Sequence, residues 1–431
     1  MVPFIDPFLP PADAIVLQDL ARDISGEKEY KDDGEKAALA YVIGLSDEKS
    51  TDFQSTVFTA WDLKDIHLPT FLDRVILQPY IQWDQTVVRR KTDVVFLTHT
   101  LLYLATSVPS ALYLFFHFTY AHAICHWIMT SWYCGPFSIM MHNHSHNSGV
   151  LSKQYAFFDF TIPYILQPLM GHTWNSYYYH HIKHHHCESN GPDDISSTIR
   201  YQRDSLLHFL CYVGRFLFAI WIELPLYFVR KKRYGMAVKQ CISELTSYGF
   251  IYVMATRNFR ATLFTLILPL IVTRIGLMVA NWAQHAFIDE EDPDSNFRSS
   301  LTLIDVSVRF IRSPFMTYPL TYHLPQSNRY GFNDGYHTSH HLNPLRHWRD
   351  HPAAFLEAKH LYASQHALTF CNVDYVMLTY RLFRKDYDYL ATCLVPMGNQ
   401  IQMSHGEKVE MLRSKTTKLT EEHIRRKFRK E

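Results

Sequence analysis

Residues 94–132 read VVFLTHTLLYLATSVPSALYLFFHFTYAHAICHWIMTSW, an apolar tract interrupted near Pro109 and followed at 141–147 by MHNHSHN. A bilayer core asks for about 20 apolar residues per helix, so the tract fits two spanning helices of roughly 17–22 residues each. Arg89, Arg90 and Lys91 stand immediately before it, and basic residues flanking a first span stay in the cytosol. Two crossings return the chain to that side just ahead of His142. The predicted fold is therefore all-α and integral to a membrane. It has about four transmembrane helices and a cytosolic helical cap that carries the histidines.

Upstream, residues 1–90 are mixed polar, with the charged stretch EYKDDGEK at 29–36, and read as a cytosolic N-terminal region. The opening MVPFIDPFLPPADAI lacks the basic start and long apolar core of a signal peptide. Downstream, AFFDFTIPYILQPLM (156–170) is short and broken by proline, which suits a re-entrant or interfacial segment. Two further apolar stretches, 206–229 and 261–282, complete the expected four spans. Against that count stand Arg215 and Glu223 inside the first, and the basic residues Arg230, Lys231, Lys232, Arg233, Lys239, Arg257 and Arg260 between the two. The alternative makes the first an interfacial helix and takes the return crossing from residues 244–256. The region 91–345 is thus read as the membrane catalytic domain. Residues 346–431 are read as a cytosolic helical region with a basic tail, whose ending KFRKE loosely matches a dibasic endoplasmic-reticulum retrieval signal.

Composition agrees with a few spans attached to a large polar part. Hydrophobic residues make up 47% and aromatics 15%, yet the mean hydropathy is only −0.14. A net charge of +1 gives no pull toward nucleic acid. The seven cysteines form no CxxC pair, so they read as free thiols of a reducing compartment, and Cys187 reads as a neighbour of the histidines rather than a ligand.

Twenty-six histidines are the chemical signal, and many fall in clusters. His142 and His146 are spaced HxxxH; His181, His184 and His185 are spaced HxxHH, as are His337, His340 and His341; His285 ends NWAQH. On an α-helix, positions i, i+3 and i+4 share a face, so each cluster aims its imidazoles at one point. Nine imidazoles exceed one tetrahedral zinc and suit two metal ions. Nitrogen ligands alone admit zinc, copper, iron or nickel, while an open pair beside an apolar channel favours iron and redox chemistry. Asn281, one turn before His285, is placed to hold a metal-bound water. His99, His117, His122 and His126 lie inside the apolar tract without such spacing and read as packing or interfacial groups.

The order HxxxH, HxxHH, HxxHH, with NxxxH before the last box, resembles the membrane-bound fatty acid desaturase and hydroxylase superfamily over roughly residues 94–345. GYHTSHHLNP (335–344) is similar to its terminal box, and NWAQH to an element of the acyl-CoA desaturases. The resemblance implies a non-haem di-iron centre with dioxygen as co-substrate. Its ligands would be His142, His146, His181, His184, His185, His285, His337, His340 and His341. It further implies a long-chain lipid or acyl thioester substrate and a separate electron-donor protein. The chain has neither a Gly-rich dinucleotide fingerprint nor an embedded haem carrier domain.

Departures leave alternatives open. His180 and His186 also permit an HxxxHH frame, 180/184/185 or 181/185/186, which is more reminiscent of alkane hydroxylases. In the leading reading both flank the ligands. A membrane metal transporter rich in histidine is the alternative of another class, although transporters place ligands within their spans. His144 should point away from its box, and His172 and His323 read as supporting or loop groups. Asp193, Asp194 and Asp334 adjoin the boxes either as turn residues or as carboxylates that orient imidazoles.

Overall fold

The computed structural model describes residues 5, 9–27, 33–304 and 327–428. His323, the last three residues of the basic tail and part of the 29–36 stretch lie outside them. The described residues are mainly helical, with two pairs of short strands. Helix α1 (Pro11–Ser25) begins on a proline, whose missing N–H would be unpaired there in any case, and stops at Gly26 in the left-handed region (φ 71°). A small hairpin follows, β1 (Thr56–Phe58) with β2 (Trp61–Asp62).

The decisive apolar tract becomes α2 (Val94–Phe116) and the start of α3 (Tyr120–Asn147). The break expected near Pro109 falls instead at residues 117–119. Helix α2 continues through the proline, and Thr119 caps α3 by accepting from the His122 N–H. Polar side chains zip the two helices together. Ser110 Oγ meets His122 Nε2 at 2.8 Å and His126 Nδ1 at 3.1 Å, and Ser107 meets Thr130 at 3.1 Å. His99 accepts from the Thr59 N–H at 3.1 Å. Packing is thus the role the structure gives His99, His122 and His126.

Among the described residues, three helical stretches are long and apolar enough to cross a bilayer: Lys91–Phe116, Leu206–Arg230 and Tyr234–Gln284. Helix α3 is not among them, because its histidines, hydroxyls and Pro136 dilute the apolar run. Helix α4 (Leu206–Arg230) neutralises its own charges, with Arg215 bonded to Glu223 at 3.0 Å. The third stretch contains α5 (Tyr234–Thr262) and α6 (Leu268–Gln284). It bends at Asn258, which has extended φ/ψ of −154° and 94°. The Asn258 side chain accepts from the Ala261 N–H at 3.1 Å and donates to the Phe115 carbonyl at 3.3 Å, so it caps one helix and tethers another. Arg274 reaches Glu244 at 3.0 Å, which places the reversal near Asn258 and makes α5 and α6 an antiparallel hairpin.

The remaining elements form a lid of short helices over one end of this bundle. Strand β3 (Leu301–Ile304) pairs in parallel with β4 (Leu368–Cys371), and the Leu303 N–H donates to the Gly335 carbonyl at 2.7 Å, just before α7 (His337–Leu342). A Cβ at Gly335 would lie 2.5 Å from the Leu303 carbonyl, so only glycine admits this approach. The two terminal regions close over the same end. Tyr336 donates to Asp13 at 2.5 Å, and Lys359 gathers Asp19, Asp23 and Glu35 within 3.1 Å. Arg329 and Arg349 hold Asp62 at 2.5 and 3.1 Å.

Candidate metal centre

The histidine boxes meet as two adjacent groups. His142, His146, His181, His186 and His340 form one, and His185, His285, His337 and His341 the other; within each, one nitrogen per residue lies within 4.8 Å of the rest. The groups abut, with the His186 and His341 rings 5.1 Å apart. Each element delivers its share for a local reason. Helix α3 presents His142 and His146 on one face over its last two turns, as i, i+4 spacing requires. Helix α7 presents His337 and His341 to one group and His340 to the other. His285 sits just past the end of α6, fixed by Trp282, which is fully buried and donates from Nε1 to the Arg203 carbonyl at 3.1 Å.

The second box departs from the expected frame. His184 belongs to neither group, and His186 takes a place in the five-membered one. The cause is the backbone. Tyr178–His185 is a π-helix, whose i→i+5 bonding brings i, i+4 and i+5 onto one face where an α-helix brings i, i+3 and i+4. His181, His185 and His186 therefore turn inward. His184 instead accepts at Nε2 from the Ile195 N–H at 3.2 Å and anchors the loop behind the site.

Hydrogen bonds at the far nitrogens decide where the lone pairs point. His285 Nδ1 lies 2.7 Å from the Ser299 carbonyl, and His185 Nδ1 2.7 Å from Asp194 Oδ2. Both oxygens accept, so each Nδ1 carries the proton and each Nε2 turns a lone pair into the cluster. Among the described residues, Nε2 of His146 and of His185 is buried with no hydrogen-bond partner. His340 Nε2 faces His142 Nε2 at 2.9 Å and His186 Nε2 at 2.8 Å, and His337 Nε2 faces those of His285 and His341 at 3.2 and 3.0 Å. One ring nitrogen offers a proton or a lone pair but not both, so proton sharing cannot satisfy these contacts. Burial and neighbouring imidazoles push His181, His186, His337, His340 and His341 well below the usual histidine pKa. Burial likewise pushes His285 down to about 3. Neutral, converging, lone-pair-bearing nitrogens are a donor set for cations.

The supporting residues sort themselves out. Asp194 is the carboxylate at the second box; burial opposes its charge, but the His185 contact holds it below the usual carboxylate range. Asp193 faces outward to Lys231 at 2.8 Å. Asp334 lies 3.6 Å from His142 Nδ1, accepts from Gln284 at 2.7 Å, and is pushed up to about 7 by burial. Asn281 lines the cavity beside the histidines, its amide donating to the Ser196 carbonyl and Tyr212 Oη at 2.9 and 2.7 Å. His180 bonds Ser196 at 3.0 Å, and His144, His172 and Cys187 stand outside both groups. Gln284 and the Ser299 carbonyl escaped sequence reasoning, the first as an unassigned position inside NWAQH and the second as a backbone group outside every box. For Asp194 the only signal was its place in PDD directly after one.

Comparison with known families fits this geometry: the fatty acid desaturase family matches residues 118–372, from the start of α3 past the third box to β4. The chain belongs to the fatty acid desaturase family. The match covers more than half of the 431 residues and includes all nine grouped histidines. No curated protein and no solved structure matches the chain. Membership makes it an oxidoreductase of the desaturase and hydroxylase superfamily.

Proposed function

We propose that the protein is an oxygen-dependent di-iron oxidoreductase that desaturates a fatty acyl or similar long-chain lipid. The observation carrying this reading is the convergence of two all-histidine groups beside an apolar cavity in a desaturase-family chain. The donor set fits two cations: His142, His146, His181, His186 and His340 would hold one, and His185, His285, His337 and His341 the other. When bound, iron supplies the oxidising chemistry, activating dioxygen and removing hydrogen from an unactivated carbon. The chain's own residues do the positioning. Asp194 and the Ser299 carbonyl hold the imidazoles of His185 and His285 in one tautomer. Phe216, Leu224, Leu277 and Met278 wall the cavity that reaches His142, His181, His185 and His337, and exclude water from it. A second, mainly apolar cavity of about 300 Å³ shares Ile139, Leu277 and Ala280 with the first and offers room for a chain.

An acyl thioester or membrane lipid supplies the chain, a separate carrier protein supplies the electrons, and the boxes face the cytosol from the endoplasmic reticulum membrane. Hydroxylation is the second reading, favoured by the 181/185/186 placement. The metal-transporter alternative lacks support, because the grouped histidines belong to a desaturase-family region. The test is expression in desaturase-deficient yeast with lipid profiling by mass spectrometry. An alkene made by the wild type and not by His340→Ala supports desaturation, and an alcohol supports the second reading. Protein holding zinc alone, with no oxygen-dependent product, refutes both.

A further inference from the structure

The α5–α6 hairpin carries a charge pair where membrane helices ordinarily avoid one. Arg274 Nη2 donates to Glu244 Oε2, and Nη1 to Tyr248 Oη, each at 3.0 Å. Glu244 Oε1 accepts from Thr173 Oγ1 at 2.7 Å and from Gln240 Nε2 at 3.3 Å. Ionisable groups within membrane helices are costly, and those that persist pair with one another and mark function. Arg274, Glu244, Thr173 and Gln240 all line the chamber that reaches the histidine groups. The chamber therefore has a metal-facing wall, an apolar wall and a polar corner.

One group in that corner is unsatisfied. Gln240 is 1% exposed, and its Oε1 has no hydrogen-bond partner among the described residues. The amide cannot flip to cure this, because a carboxylate only accepts and so keeps the Gln240 nitrogen turned toward Glu244. A buried acceptor left unpaired is destabilising, so a ligand that brings it a donor is favoured. A hydrocarbon chain brings it no donor. A carboxylate brings none either, and would meet the charge of Glu244. A neutral hydroxyl brings a donor for Gln240 and an oxygen for the guanidinium of Arg274, which spends only two N–H groups on Glu244 and Tyr248.

We propose that Gln240, backed by the Arg274–Glu244 pair, is a specificity site for a hydroxyl group on the long-chain substrate. This rests on reading the chamber as the substrate site, and it selects chains that already carry oxygen. The test measures thermal stabilisation of the full-length protein in nanodiscs by methyl octadecanoate and by its monohydroxylated positional isomers. At least one isomer is expected to bind about tenfold tighter than the parent, the worth of one buried hydrogen bond. Gln240→Met should erase that preference, and Gln240→Asn, which shortens the amide by one methylene, should reduce it if the methionine variant does not fold. No preference in the wild type, or one undiminished in the folded variants, overturns the proposal. Oxygen-dependent turnover is read separately. A hydroxyl preference without any oxidised product removes the oxidoreductase reading and keeps the site, whereas oxidation of unsubstituted chains with no preference does the reverse.

Discussion

His186 and His184 stand two positions apart and meet different neighbours. His186 Nε2 contacts His340 Nε2 at 2.8 Å and His181 Nε2 at 3.0 Å, whereas His184 Nε2 is occupied by the Ile195 N–H. His186→Ala is expected to lower bound metal, measured by elemental analysis against protein. His184→Ala should retain the metal stoichiometry and lose about 1–3 kcal/mol of stability through the unpaired amide, read as a fall in Tm. Equal metal loss in both variants would contradict the assignment. At Asp194, conversion to Asn removes the charged acceptor at His185 Nδ1. Loss of such a partner weakens metal binding by about 10–100-fold, which metal competition titration would read. Residue types at this scale were legible from spacing: eight of the nine ligands named from HxxxH, HxxHH and NxxxH lie in the two groups. His184 lies outside both groups, because the phase of an under-wound π-helix is invisible in a string of five histidines among seven positions.

The π-helix Tyr178–His185 is the element that sets this phase. Its fifth residue per turn is an insertion relative to an α-helix, and removing one residue restores i, i+3, i+4 spacing. Deleting Lys183 should therefore let an α-helical turn present His181, His185 and His186 together and retain bound metal. Inserting an alanine at the same point should abolish it. Loss in both variants, by elemental analysis, would count against the register argument. The helix reversal at Asn258 falls between the alternative crossing at 244–256 and the 261–282 stretch, although Ala255–Ala261 contains no proline or glycine to announce a turn. The α2–α3 turn moved from Pro109 to Thr119 for the opposite reason: a proline inside an apolar helix is tolerated, and a capping threonine ends it.

Across the whole molecule, buried charges bind distant segments into the lid. Burial raises the Asp62 pKa, but the Arg329 and Arg349 charges outweigh it and hold the group down at about 2. A folded pKa below the unfolded one means that Asp62 stabilises the fold above about pH 4. That contribution disappears as pH falls through about 2. Asp62→Asn should cost about 3–5 kcal/mol by leaving two buried guanidiniums without their carboxylate, and should flatten acid unfolding over that window, both followed by circular dichroism. Such ties join residues far apart in sequence, so composition alone could not reveal that the first ninety residues and the last eighty close over one site. The charged stretch EYKDDGEK (29–36) read only as part of a cytosolic N-terminal region.

Arg203 makes the widest of these ties. It is fully buried and donates to the carbonyls of Thr198, Tyr201, Ala286, Lys415 and Thr417, all within 3.1 Å. It thereby fastens the loops behind His185 and His285 to the C-terminal segment. A chain truncated before Lys415 should lose metal from the four-histidine group first, measured as a drop in bound metal with the protein still in the membrane. Synthesis runs from the N-terminus at about 5–20 residues per second. The histidines of all the boxes are therefore made before Lys415 and Thr417 leave the ribosome. The clasp that fastens the loops behind His185 and His285 can close only after Lys415 and Thr417 emerge, so the nascent protein carries its metal ligands for a time without this lock.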